Sequence, residues 1–232
     1  TVFGIAANKD ANFAPISAPV SYPHIWNTSW FSWVQYDGSI MQPMVRNAGE
    51  SLGVSAELNL TDPSKGLWKS SVNVESLFEM EQMIKGDTQP NAKDGFPGLR
   101  SPKWPGDILP PIDQKLAAQG AELYKTHCQE CHRPPVSSPT FWDFNNKDWW
   151  TTNEANEPIL KVENVLISHI GTDPAQAEDM LNRTVSVPAH LGIDESGFAA
   201  ALGAVVAKTV DYVFDHKKPP VSPEDRKKID GY

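Results

Sequence analysis

Residues 128–132 read Cys-Gln-Glu-Cys-His, so two thiols stand three positions apart on one side of a helical turn, with an imidazole directly behind them. At that spacing each thiol can close a thioether to one vinyl group of a porphyrin while His132 swings beneath the ring to ligate its iron. Covalent attachment retains such a group even in a shallow, partly wet pocket. Three other chemistries use paired cysteines. A zinc site needs four Cys or His ligands, yet there is no second CxxC and the other histidines are scattered. A thioredoxin-like pair belongs at a helix start after a strand, whereas here a helical pattern runs into the motif. A bare disulfide across three residues closes a tiny loop and stabilises little. The spacing favours one haem c over these, with Cys128 and Cys131 as its anchors and His132 as the proximal iron ligand, and makes the chain a redox protein.

The opposite face of the iron is less determined. Met180 lies at a suitable distance downstream of His132 for a methionine-ligated electron-transfer haem, although its setting, AEDMLNR, also reads as a helix turning Met180 and Leu181 to the core. His169, His190 and His216 are further candidates, and His190 follows Pro188 in a loop, where a side chain can be aimed.

The elements that must position these groups are mostly helical. IDQKLAAQGAELYKTH at 112–127 predicts a helix whose Leu116, Gly120, Leu123 and Tyr124 share a face and whose end delivers the cysteines. A second long pattern at 196–216, with Ser196 as cap and Pro219 closing the run, offers Leu202, Val205, Val206, Tyr212 and Val213 as its partner face. Shorter helices are expected over 158–171 and 174–181, and strand signals are weak.

Upstream, helices are expected near 44–52 and 72–85, ended by Gly53 and Gly86. In the second, Val74, Leu77, Phe78, Met80, Met83 and Ile84 read as a core face. Residues 1–40 read as an irregular wrap in which Pro15, Pro19 and Pro23 block helix continuation and Trp26, Trp30, Phe31 and Trp33 need burial. Six prolines between Gly86 and Pro111 mark a boundary that Phe96, Leu99, Trp104, Ile108 and Leu109 can pin to its neighbours. The expected division is therefore a Trp-rich region over 1–85, a Pro-rich linker over 86–111, a haem domain over 112–218 and a tail over 219–232.

Among the 232 residues, 29 acidic side chains outnumber 20 basic ones, which argues against a nucleic-acid partner and favours basic redox partners at low salt. No apolar stretch approaches the roughly 20 residues that cross a bilayer. The first residues lack a basic segment followed by an apolar core, so a signal peptide is absent or removed. Since c-type haem is attached outside the bacterial cytoplasm, a periplasmic or secreted location is expected. No phosphate-binding glycine loop, Ser-His-Asp set or paired catalytic carboxylates is evident. Asn27, Asn59 and Asn182 open glycosylation triplets, a weak motif that arises by chance.

Gly120, Tyr124, Cys128, Cys131 and His132 together resemble the first helix and haem turn of cytochrome c domains. Beyond that turn, HIWNTSWFSWVQYDGSIMQPMVRNAGESLGV at 24–54, SPKWPGDILPPID at 101–113 and HIGTDPAQA at 169–177 resemble the dihaem c-type cytochrome peroxidase superfamily, in its rubber-oxygenase-like branch. The resemblance implies a mainly α protein, a cytochrome c-type domain preceded by an irregular, Trp- and Pro-rich, partly helical region. It also implies two haems in one polypeptide, one reacting with peroxide or dioxygen and one relaying electrons. The single CxxCH departs from that pattern, and the chain ends before the segment with which the family continues. On this basis it is expected to be a piece of a longer protein, with a second haem only if a further N-terminal region is present. The alternative is an electron-transfer subunit of a larger assembly. Under the resemblance, Trp26, Trp30 and Trp33 would lie between the two cofactors or simply fill space, and Arg46 would hold a propionate or be an ordinary surface or helix-flanking charge. The implied partners are a redox protein, an adjacent haem domain or other pieces of the same polypeptide.

Overall fold

Helices carry most of the regular structure in the computed structural model, which describes residues 2–15, 23–35, 38–41, 43–194 and 197–230. Two positions used above, Pro19 and the cap residue Ser196, lie outside the described residues. A π-helical turn (Val2–Ala6) opens the chain, followed by a two-stranded antiparallel hairpin of β1 (Trp33–Val34) and β2 (Ile40–Met41) in which Trp33 pairs with Met41. The hairpin feeds α1 (Pro43–Val54), begun by a proline whose missing N–H costs nothing in the first turn. Met44, Ala48 and Leu52 recur at four-residue spacing and form its buried stripe.

α2 (Val74–Lys85) starts where the Asn73 side chain accepts from the Ser76 N–H at 3.1 Å and stops at Gly86. Gly86 and Gly98 both have positive φ, and a Cβ on Gly98 would fall 2.1 Å from the Ile84 carbonyl oxygen. Only glycine lets the linker fold back so closely on the end of α2. α3 (Gln114–His127) is capped by Asp113, whose carboxylate accepts from the N–H groups of Lys115 and Leu116 at 2.9 and 3.0 Å. It is followed by the antiparallel pair β3 (Trp150–Thr152) and β4 (Pro158–Leu160), then α4 (Ile167–Ile170), α5 (Ala175–Asn182), α6 (Phe198–His216) and α7 (Pro223–Asp230). The protein is mainly α, with two small sheets among the described residues. The β3–β4 hairpin stands where a helix is expected from residue 158. β-Branched Thr151, Thr152 and Ile159 suit a pleated ladder, and the Asn153 side chain closes the turn by accepting from Ala155 and Glu157 N–H groups.

Among the described residues, two apolar clusters organise the fold. The larger joins Val2, Phe3, Met44, Ala48, Leu60, Val74, Val205, Val206, Phe214 and Ile229, so the first residues, α1, α6 and α7 share one core. Here α6 differs from expectation. Instead of lying against α3, it packs on α1 and α5, with Ala201, Val205 and Thr209 fully buried. The smaller cluster is aromatic: Trp30, Phe96, Phe141, Trp142, Trp150 and Leu160. Phe96 is the linker residue that pins, whereas Leu99, Trp104, Ile108 and Leu109 remain exposed.

The buried face of α2 also departs from the apolar pattern. Val74 is buried and Leu77, Phe78 and Ile84 are half-buried, but Met80 and Met83 point to solvent. Glu81 and Lys85, one turn apart, are the buried residues at the far end, 2% and 3% exposed. They are tolerated there because both are paired. Glu81 accepts from Arg46 Nη2 at 3.0 Å, from Asn47 Nδ2 at 2.7 Å and from the Ser29 hydroxyl, while Lys85 bonds to Glu157. This network ties the 28–30 turn, α1, α2 and the β3–β4 turn together.

Candidate haem-attachment turn

The Cys128–His132 turn is built from the C-terminal end of α3. The N–H groups of Cys128 and Gln129 donate to the Tyr124 carbonyl at 2.9 and 3.0 Å, finishing the helix. Those of Cys131 and His132 then converge on the Cys128 carbonyl at 3.2 and 2.8 Å. The result is one further, loosely helical turn that carries Cys128, Cys131 and His132. Both cysteines are free; Cys128 is half-buried and Cys131 exposed, and the His132 side chain is exposed. Lys125 and His127 occupy the last turn of α3, where positive charge opposes the negative end of the helix dipole.

The face of α3 that leads to this turn is bare. Leu116 and Leu123 are 63% and 59% exposed, and nothing stands within 4 Å of where a Gly120 side chain would begin. Residues 101–123 are exposed throughout, including Trp104, Ile108 and Ile112. After the turn the chain is covered only in part, with Val136 still 52% exposed. Pro134 is buried, Tyr124 Oη donates to the Arg133 carbonyl at 2.7 Å, and Trp142 Nε1 donates to the Val136 carbonyl at 2.7 Å.

The distal candidates are dispersed. Met180 is half-buried and lines a cavity of about 380 Å³ between α5 and the start of α6, with Ser39, Leu181 and Phe198; no residue of the Cys128–His132 turn lines it. His169 is exposed on α4. His190 Nε2 donates to the Leu60 carbonyl at 2.8 Å, and His216 Nδ1 donates to the Tyr212 carbonyl at 2.9 Å while stacking on the Tyr212 ring. Both of these imidazoles have local structural work. Among the described residues no group of three or more His, Cys, Asp or Glu side chains is gathered as for a metal ion.

Arg46 is neither a surface charge nor directed at an open site, since it pairs with buried Glu81. The three tryptophans have separate settings. Trp26 is half-buried and stacks on His24 with ring centroids 5.0 Å apart, Trp33 is half-buried in β1, and Trp30 is buried with Lys85 Nζ 4.9 Å from its ring centroid. The Trp30 indole N–H meets no hydrogen-bond acceptor among the described residues. A cation over the ring penalises removal of an electron from Trp30, which favours its role as packing. Sequence reading missed the aromatic wall beside the turn, formed by Phe141, Trp142 and Trp150. Its signal was available in the spacing FW…F…WW over 141–150.

No protein-family model matches the chain, and no solved structure matches it. It is 50% identical over 230 residues to an uncharacterized protein, y4iJ, of Sinorhizobium fredii (strain NBRC 101917 / NGR234). That match takes in 99% of this chain and 38% of y4iJ, so the chain spans well under half the length of this relative.

Proposed function

We propose that Cys128, Cys131 and His132 hold one haem c and that the chain is a redox module. The observation that carries this reading is the pairing of two free thiols and an exposed imidazole with a helix whose Leu116 and Leu123 stand exposed. A helix ordinarily buries such a stripe, because removing apolar surface from water is worth about 25 cal/mol per Å². The residues present fit a flat, largely apolar group bonded at the end of α3. The two cysteines would anchor it, His132 would approach from the side of the turn, and Leu116 and Leu123 would gain cover. When bound, such a group supplies one-electron redox chemistry. The protein's part is to fix the imidazole, exclude water on the apolar side and set the local charge.

Within that reading, the module belongs to a dihaem peroxidase- or oxygenase-type oxidoreductase in which the haem at His132 relays electrons, on a cytochrome c-type scaffold outside the cytoplasm. Support for this larger assignment is the sequence resemblance at 24–54, 101–113 and 169–177. The second reading is electron transfer alone within a larger complex, and the dispersal of Met180, His169, His190 and His216 bears on the choice. A five-coordinate, high-spin iron that binds cyanide rapidly would place chemistry at this haem; a six-coordinate, low-spin iron inert to small ligands would assign it to relay.

The test of attachment is direct. Produced in a host with c-type haem-attachment machinery and digested, the chain should yield a peptide spanning residues 128–132 that carries the porphyrin mass. Recovery of that peptide unmodified, with both thiols open to alkylation, would contradict the proposal.

A further inference from the structure

The imidazole of His132 has no hydrogen-bonded partner of its own among the described residues, so whatever aims it must act through the peptide that follows. That peptide is held from two sides. Tyr124 Oη donates to the Arg133 carbonyl at 2.7 Å across nine positions of sequence. The Arg133 side chain reaches the other way, its guanidinium carbon 5.2 Å from the Trp149 ring centroid and its Nη2 donating to the Asp148 carbonyl at 3.2 Å.

Neither contact is required to complete α3. The helix finishes its own backbone ladder at Cys128 and Gln129, so the Tyr124 hydroxyl serves the turn and not the helix. Trp149 in turn is fixed by its position beside Trp150, one of the most buried side chains, whose Nε1 donates to the Phe141 carbonyl at 2.9 Å. Arg133 is thereby fastened to a rigid aromatic wall, while its carbonyl is fastened to α3. The residue adjoining His132 is thus restrained at both its carbonyl and its side chain.

We infer that Tyr124 and Arg133 are positioning residues for His132: together they set the direction of the imidazole, and the Arg133 charge raises the reduction potential of the iron it ligates. This rests on the haem reading above. The physical case is that groups outside the ligand set orient a ligating histidine and tune the metal it holds. A guanidinium stays charged at any working pH. Carried by the residue next to His132, it disfavours the extra positive charge of the ferric state.

The experiment uses the full chain with haem attached and compares Tyr124→Phe, Arg133→Lys and Arg133→Gln. Attachment is counted by intact mass, the orientation of the axial imidazole is read from the ferric EPR signal, and the midpoint potential is measured by redox titration. All variants should keep the haem. Tyr124→Phe, which removes one hydroxyl and no charge, should shift or broaden the EPR signal with little change in potential. Arg133→Gln should move the ferric-to-ferrous ratio at fixed poise by on the order of tenfold toward ferric, about 59 mV for one electron, and Arg133→Lys should restore most of that. Haem-bearing variants that all keep the wild-type signal and potential would overturn the inference alone. A wild-type chain without haem would overturn it together with the reading beneath it. Should Arg133→Gln fail to fold, Tyr124→Phe and Arg133→Lys still decide the orientation claim.

Discussion

If Cys128, Cys131 and His132 hold the proposed haem, their substitutions should fail differently. Replacing both thiols by serine removes every covalent anchor, so the porphyrin mass should vanish from the intact protein. His132→Ala leaves the thioethers possible and takes away only the iron ligand. It should retain the mass while losing the low-energy spectroscopic features of a histidine-bound iron. Covalent mass surviving in the double-serine chain would exclude these cysteines as the anchors.

Far from the turn, the most exacting residue is Glu81. Its carboxylate is buried and satisfied by Ser29, Asn47 and Arg46. Arg46→Ala would leave that charge without its cation, and breaking a buried pair by removing one partner costs about 3–5 kcal/mol. Denaturant unfolding should show this loss as a lower midpoint at unchanged slope. An unchanged midpoint would mean that Asn47 and Ser29 suffice. Charged residues within a helix ordinarily signal a solvated face, so the burial of Glu81 and Lys85 was not legible from α2 alone. It required partners 35 to 72 residues distant, at Arg46, Ser29 and Glu157.

At the scale of elements, α3 and α6 are opposites. Leu60 and Val205, in the core that α6 completes, are fully buried, whereas Leu116 on α3 is 63% exposed. In haem-free protein Leu60→Ala should cost about 2–5 kcal/mol, while Leu116→Ala should fall within about 0.5 kcal/mol of wild type. With haem attached, Leu116→Ala should acquire a measurable cost. If hydrogen exchange is followed instead, the amides of α3 should exchange fast without haem and slow markedly once it is attached. Equal protection in both forms would mean that α3 is stabilised by something other than the group at its end.

The contrast also shows what could be read in advance. Boundaries of α1, α2 and α3 follow from Pro43, Asn73, Asp113 and the glycine after α2, all local signals of start and stop. Partnership between helices is not local. The apolar stripes of α3 and α6 look complementary in sequence, yet α1 competes for the same α6 surface and fills it with Met44, Ala48 and Leu52. The β3–β4 hairpin escaped notice because three-residue strands carry too few alternations to stand out from a loop.

Taken whole, the molecule has a formal net charge of −9, and haem propionates would add to it. Encounter with a basic redox partner should therefore slow as ionic strength rises, since charges beyond about 8 Å are largely screened at 0.15 M salt. Electron-transfer rates measured against a small basic protein should fall between low and physiological salt. A salt-independent rate would place the exchanging surface away from the acidic field. No helix among the described residues is long and apolar enough to cross a membrane. The aromatic wall and the buried ion pairs connect the Cys128–His132 turn to the N-terminal half, so a change at Trp30 or Lys85 is expected to be felt at the turn through Trp150 and Trp149.

The most direct measurement is the absorption spectrum of the purified chain after full denaturation in acid and organic solvent. The account predicts that the intense porphyrin band stays with the polypeptide, because thioether bonds at Cys128 and Cys131 survive unfolding. A colourless polypeptide, with pigment either absent from the start or extracted into the solvent, would contradict it.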